Sequence, residues 1–489
     1  MAAEAPKETA ISHVENKAEL AAFTNDESTV KPTAAIQDWD EKEERSIVRK
    51  VDFTVLPILA VLMGLSFLDR NNISAAYIAG MDQDLELKVG ARYNIALLVF
   101  FIGYALFELP SNYILRIVGA RVWIPILVLL WGICCLVMGF VTNWWSLVIL
   151  RAFLGVFEAG LWPGTVYLIG AWYKQYEAAK RITFCYMTGV FASGLSPIFA
   201  YALSLIRVGD GMYRQGWRWI YIIEGIVTVV VAIIAPPFMM EFPQKARMLS
   251  ERQRHIAIKR LETENVSTSG NHSVKEFLGL LLDKKLIVFA FQYYVATVSV
   301  YALGYFQPLI LRDGMGFNYT MSQLLSTPTY FFAIAASFAV AAISDKFRLR
   351  WPFIVAQCVV CCVGLLIVLY AGKPGVRYFG LYLGIYGAQS NLPMFLSYAQ
   401  NQITNVEKKG AFAAAMITVG AVGGTTGSTI FRPRDAPTYY PGMWTTIALQ
   451  IAVAIVTYFF SMWLKRQNKL ADEGELEVLE DVEGFRYAP

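Results

Sequence analysis

The chain has 489 residues, 56% of them apolar and only 16% charged, with a mean hydropathy of +0.45. Water-soluble globules carry about a quarter of their residues as charges, so this composition excludes one and points to a bilayer protein. A net charge of +4 is too small to suggest nucleic acid as a partner.

The first 45 or so residues are polar, rich in Ala, Glu and Thr, and lack the apolar core of a cleavable signal peptide. Such a segment reads as a disordered cytoplasmic tail. From there, apolar runs of about 20 residues, long enough to cross roughly 30 Å of hydrocarbon, recur along the chain. Twelve are expected, at 53–76, 93–115, 122–141, 145–169, 182–205, 219–239, 286–308, 323–343, 351–371, 377–398, 410–430 and 443–464. Between the sixth and the seventh lies a polar stretch from Glu241 to Lys285 containing "QKARMLSERQRHIAIKRLETEN". Its apolar residues Met248, Ile256, Ile258 and Leu261 recur at helical spacing, which predicts an amphipathic helix rather than a span.

Six spans, a linker and six spans form a duplicated plan, and "GARVWIP" before span three is echoed by "RLRWPF" before span nine. The expected layout is a tail at 1–50, a six-helix half at 51–240, a linker at 241–285, a second half at 286–465 and a tail at 466–489. Basic residues cluster after even-numbered spans, at Arg116 and Arg121, at Lys174, Lys180 and Arg181, at Lys346, Arg348 and Arg350, and at Lys408 and Lys409. That asymmetry predicts both termini on the cytoplasmic side. Asn318, in "NYT", is then the sequon in an outward loop and the glycosylation candidate. All six cysteines fall inside spans, so neither a disulfide framework nor a metal site is expected.

The charges inside spans carry the functional expectation. A charged group near the bilayer midplane costs at least about 2.5–3.5 kcal/mol on insertion scales, so it normally faces a cavity or a partner. Asp69 and Arg70 in "FLDRNNIS" of span one, and Arg151 and Glu158 in "RAFLGVFEAG" of span four, all bear that cost. Span one runs outward and span four inward, so the two arginines reach similar depth. Two guanidinium groups at one level suit a carboxylate, since arginine offers paired planar donors and keeps its charge. Arg151 and Glu158 share a helix face about 10.5 Å apart, with Gly155 between them expected to leave room for ligand or water. Asp69 points roughly 100° away from Arg70 and needs a partner on another helix, or a proton. An acid poised between desolvation and nearby cations is the physical basis of proton coupling, the role expected of Asp69 and Glu158.

The duplicated plan, "SDKFRLR" (344–350) and "RAFLGVFEAGLWPG" (151–164) resemble the major facilitator superfamily. More narrowly, "LDRNNIS", "ELPSNYILR", "GWRWIYIIEG" and "FRPRDAPTYYPG" are similar to the fungal allantoate permease branch of the anion:cation symporters. The resemblance implies an all-α fold of 12 transmembrane helices in two six-helix halves, working as a monomer without cofactor or enzymatic activity. It implies uptake of small organic anions, such as ureidoacids and nicotinate, with protons across the plasma membrane. It further implies anion binding by Arg70 and Arg151, proton coupling by Asp69 and Glu158, and a cytoplasmic latch at Asp345, Lys346 and Arg350. Asn391 in span ten and Gln307 in span seven are candidate amide ligands. The run "YAQNQITNVEKK" (398–409) departs from the family pattern, with tyrosine for tryptophan and asparagine for glycine, which implies a differently shaped pocket. Export of an acidic metabolite and a non-transporting nutrient receptor remain as alternatives. Span five lacks the Gly-Pro-x-x-Gly-Gly pattern of drug antiporters, which favours import.

Overall fold

A computed structural model describes residues 39–265, 283–474, 479–480 and 484–488, apart from positions 207, 209, 210, 240, 244, 245, 247, 348 and 405. Most of the expected disordered tail, and the second part of the linker, lie outside these residues. The chain divides into one unit up to Ser46 and another from Ile47 onward. In the first, Arg45 pairs with Glu41 at 2.7 Å, four residues back along a helix.

Helices dominate the described residues. In chain order they are α1 (Glu41–Ala76), α2 (Arg92–Val118), α3 (Ala120–Met138), α4 (Trp144–Glu158), α5 (Leu161–Trp172), α6 (Gln175–Ser204) and α7 (Gly216–Phe238). After the linker helix α8 (Glu251–Asn265) come α9 (Lys284–Leu309), α10 (Tyr319–Phe347), α11 (Trp351–Tyr370), α12 (Pro374–Asn401), α13 (Val406–Ile430) and α14 (Tyr440–Asp472). Each of the twelve expected spans falls on a helix, with span four divided into α4 and α5 at Ala159–Gly160. Among the described residues, nine helical segments are apolar enough by length and composition to cross a membrane. The other three, α2, α12 and α13, have 27, 28 and 25 residues. At about 1.5 Å per residue each still exceeds the thickness of the hydrocarbon core.

Helix α14 shows why the bundle needs lipid. Ile451, Ile455, Phe459 and Met462 recur along one side and are exposed. The opposite side buries polar groups: Gln450 donates to the Ser299 hydroxyl at 2.9 Å, and Thr457 accepts from Gln292 at 2.9 Å. Apolar residues outside and hydrogen-bonding residues between helices is the arrangement a bilayer selects, because hydrocarbon cannot satisfy a polar group.

Packing repeats between the halves. The pair α3 and α7 has its counterpart in α11 and α14, and the pair α2 and α4 in α10 and α12. Across the halves α2 packs on α13 and α6 on α10, a reciprocal pairing. Gly424 of span eleven serves this contact, as a Cβ there would stand 2.3 Å from the Phe101 ring of α2, whereas Gly420, Gly423 and Gly427 lie against α9.

Further cross-half contacts gather where α1, α6, α9 and α13 end and α2 and α10 begin. Arg312 donates to the Ile78 carbonyl at 3.2 Å, and Gln323 to the Ala75 carbonyl at 3.2 Å. Asn94 donates to the Ser428 and Phe431 carbonyls at 2.7 and 2.6 Å, and Tyr319 donates to Ser204 at 2.6 Å. These contacts close one end of the bundle. On the linker helix the buried face is Ile256, Ala257 and Arg260, whereas Met248 is exposed, which corrects the expected apolar stripe. The register is set by Arg260 pairing with Glu177 at the start of α6, a charge contact that apolar periodicity does not show.

Candidate substrate cavity

A central cavity with an empty volume of about 1060 Å³, including its open part, lies between the halves. Helix α1 supplies Met63, Ser66, Phe67, Arg70 and Asn71. Their spacing is that of a single helical face, so the polar residues that interrupt the apolar run share one direction. The charged residues lining the cavity are Arg70 and Glu158. Arg70 Nη2 lies 2.5 Å and Nε 3.2 Å from Glu158 Oε1. Ser66 donates to the same oxygen, while Glu158 Oε2 is buried without a hydrogen-bond partner among the described residues.

The third arm of the guanidinium crosses the interface: Arg70 Nη1 donates to the Tyr301 hydroxyl of α9 at 2.7 Å. The guanidinium carbon stands 5.2 Å from the Phe100 ring centroid and 5.4 Å from those of Phe67 and Tyr104. Aromatic faces at that range attract a cation, more strongly where water is excluded. Trp162, Tyr186, Tyr293 and Tyr330 extend the aromatic wall, and Gln389 and Thr297 add neutral hydrogen-bonding groups.

The Major Facilitator Superfamily model matches residues 59–428. The chain belongs to the Major Facilitator Superfamily. A relative, the MFS-type transporter cnsO of Penicillium expansum, is 28% identical, with 89% of this chain and 86% of that protein covered. The high-affinity nicotinic acid transporter of Saccharomyces cerevisiae is 27% identical, with 93% and 84% covered. Among solved structures, a bacterial homolog of the human lysosomal transporter Spinster, inward-facing and occupied, superimposes with a TM-score of 0.67 at 16% identity. It covers 86% of this chain and 98% of that one, and carries the fold. The protein is thus an integral multi-pass membrane protein and a secondary transporter of the major facilitator type, whose relatives are not enzymes.

Within this facilitator fold the site residues expected from sequence part company. Arg70 and Glu158 come together on the cavity. Arg151 does not border it: it is 1% exposed, has Tyr93, Tyr221 and Tyr305 as neighbours, and leaves Nε and Nη2 without hydrogen-bond partners. The expected two-arginine clamp is therefore not assembled in this conformation. Arg151 shares the buried face of α4 with Gly155 and Glu158, but lies two turns before Glu158 and so beyond the cavity lining. Gly155 does not open space either, because a Cβ there would stand 2.0 Å from the Phe100 carbonyl oxygen. The glycine lets α4 lie directly on α2.

Asp69 finds the partners it needs, away from the cavity. Trp131 Nε1 donates to it at 3.1 Å, Thr228 at 3.0 Å and the Cys135 thiol at 3.7 Å, tying α1 to α3 and α7. Asn72 on that side donates to Glu224, whereas Asn71 donates to Ser193 at 2.9 Å and lines the cavity.

The amide candidates are displaced from the expected positions. Asn391 is fully buried between α12 and α11, donating to Cys358 Sγ at 3.3 Å, while its neighbours Gln389 and Leu392 face the cavity. Asn391 is two residues past Gln389 and one before Leu392, so its side chain leaves the helix roughly 100–160° away from both. Gln307 lines a smaller adjoining pocket and donates to the Ser326 carbonyl at 3.2 Å and Thr329 at 2.7 Å. At the expected latch Arg350 pairs with Asp345 and donates to Ser344 at 3.3 Å, with Asp345 and Lys346 exposed. Asn318 is exposed, and its side-chain oxygen caps α10 by accepting from Met321 N at 2.8 Å. Among the cavity residues, Ser66, Tyr104 and Trp162 were not expected from sequence. Ser66 was recoverable, since it lies four residues from Arg70 on one face.

Proposed function

We propose that the protein takes up a small organic anion together with a proton by alternating access, in the manner of the allantoate permease branch. The observation that carries this is the Arg70–Glu158 pair in an otherwise uncharged, aromatic cavity. With both groups ionised the pair is neutral and Arg70 is occupied. A proton on Glu158 removes the competing carboxylate and frees the guanidinium for a substrate carboxylate. One accessible arginine suits a monoanion, and the aromatic wall suits a flat ring or short apolar body. Similarity to a nicotinic acid transporter supports a substrate of this kind.

In this reading both termini are cytoplasmic, the sealed end faces outward, and the protein works as a monomer in the plasma membrane. The test is uptake of a panel of labelled small carboxylates by a transport-deficient host at external pH 5 and pH 7. An aromatic or short-chain monocarboxylate accumulated preferentially at the lower pH is the expected result. Accumulation that is indifferent to pH, or confined to neutral or cationic compounds, would overturn the proposal.

A further inference from the structure

Three consecutive polar residues of α12 take three different directions. Ser390 and Asn391 are fully buried against neighbouring helices, Ser390 bonded to Ser337 of α10 and Asn391 to Cys358 of α11. Gln389 turns the other way. It is half-buried, lines the central cavity together with Leu392 three residues on, and makes no hydrogen bond to any described residue.

The other charged and amide side chains described on the cavity wall are already committed. Arg70 is held by Glu158 and Tyr301, and Asn71 donates to Ser193 at 2.9 Å. Gln389 keeps its whole amide free, with two donor hydrogens and an acceptor oxygen. An amide facing an open cavity is hydrated until a ligand fills the space and displaces the water. An apolar body pressed against it then leaves the amide without partners, whereas a heteroatom on the ligand replaces the lost hydrogen bonds. The penalty falls on the ligand that lacks the heteroatom, as in any site built around a hydrogen bond.

We infer that Gln389 is a specificity-determining contact that selects organic anions carrying a hydrogen-bonding heteroatom away from the carboxylate. The inference rests on the carboxylate being held at Arg70, as proposed above, and narrows the substrate class to monoanions that are polar at both ends. The position also matters for transport. Arg70 and Glu158 stand on α1 and α4 of the first half, whereas Gln389 stands on α12 of the second. A ligand that engages both bridges the halves, which makes its affinity depend on how they stand and lets it bias their motion.

Ligand-induced thermal stabilisation of the purified protein tests this with matched pairs that differ only in the heteroatom. Suitable pairs are 4-methylbenzoate with 4-hydroxybenzoate, cyclohexanecarboxylate with tetrahydropyran-4-carboxylate, and 5-methylhexanoate with 5-oxohexanoate. In the parent protein the heteroatom member of at least one pair is expected to bind about five- to tenfold more tightly, the ratio that one hydrogen bond provides. Gln389→Met keeps the side-chain volume and removes the hydrogen bonding. It should abolish that preference while leaving the affinity of the apolar members and the ligand-free melting temperature unchanged. Gln389→Leu, measured alongside, keeps the outcome from depending on the folding of one variant. Equal binding within every pair in the parent, or a preference that survives both substitutions, would overturn the assignment. The neutral carboxamide of each acid is run in parallel. Equal stabilisation by acids and carboxamides would defeat the carboxylate reading, and the ratio within pairs would still decide the role of Gln389. Stabilisation by none of the compounds would overturn both.

Discussion

Arg70 Nη2 lies 2.5 Å from Glu158 Oε1, while Arg151, seven residues before Glu158 in the same helix, sits among tyrosines outside the cavity. A charge on α1 thus answers a charge on α4 directly, through two nitrogens of Arg70 on one oxygen of Glu158.

The first expectation concerns Arg70. Arg70→Ala should abolish substrate-induced thermal stabilisation in detergent and also lower the substrate-free melting temperature. Breaking a buried pair by removing one partner typically costs about 3–5 kcal/mol. Arg70→Gln combined with Glu158→Gln should restore much of the stability without restoring substrate binding. Stabilisation by substrate in the double variant would remove Arg70 from the anion site.

The second concerns Glu158. Since a proton on Glu158 frees Arg70, anion affinity in the parent protein should rise as pH falls, and by linkage bound anion should favour protonation. Glu158→Gln imitates the protonated state at every pH. It should bind substrate with little pH dependence and exchange labelled for unlabelled substrate across vesicles, yet fail to accumulate it under an acid-outside gradient. Full gradient-driven accumulation by this variant would assign coupling elsewhere.

Asp69 provides the contrast. Its carboxylate accepts from Trp131, Thr228 and Cys135 rather than facing the cavity. Asp69→Asn should therefore leave the substrate dissociation constant within about twofold while lowering stability by about 1–3 kcal/mol, the cost of disturbing a buried polar network. Paired melting and binding measurements separate the two effects, and a large loss of affinity with unchanged stability would contradict this placement.

Gly155→Ala tests the packing of α4 on α2. The added methyl would meet the Phe100 carbonyl oxygen, so the helices must separate. Overpacking of this kind typically costs about 1–3 kcal/mol, to be read as a lower melting temperature. An unchanged melting temperature would show that the interface yields freely.

Span positions were legible in the sequence because hydropathy reports contact with lipid, and the expected spans coincide with helices throughout. Charges inside those spans were equally visible, since their cost forces a reason for each. Their directions were harder. Asp69 and Arg70 are neighbours whose different partners follow from helix geometry only once the faces of α1 are assigned. Arg151 shows the limit most clearly: it shares one buried face of α4 with Gly155 and Glu158, yet only Glu158 reaches the cavity, because α2 lies directly on α4 at Gly155 between them. Asn391 shows the same limit, turned toward Cys358 while Gln389 faces inward.

The sealed end of the bundle rests largely on side chains reaching backbone carbonyls, as with Arg312 to Ile78, Gln323 to Ala75 and Asn94 to Ser428. Each such bond is worth roughly 0.5–1.5 kcal/mol net, so together they hold a gap of only a few kcal/mol. Under the proposed alternating access, such a seal is a door built of small separate latches, which a ligand opens by as much as its affinities for the two states differ.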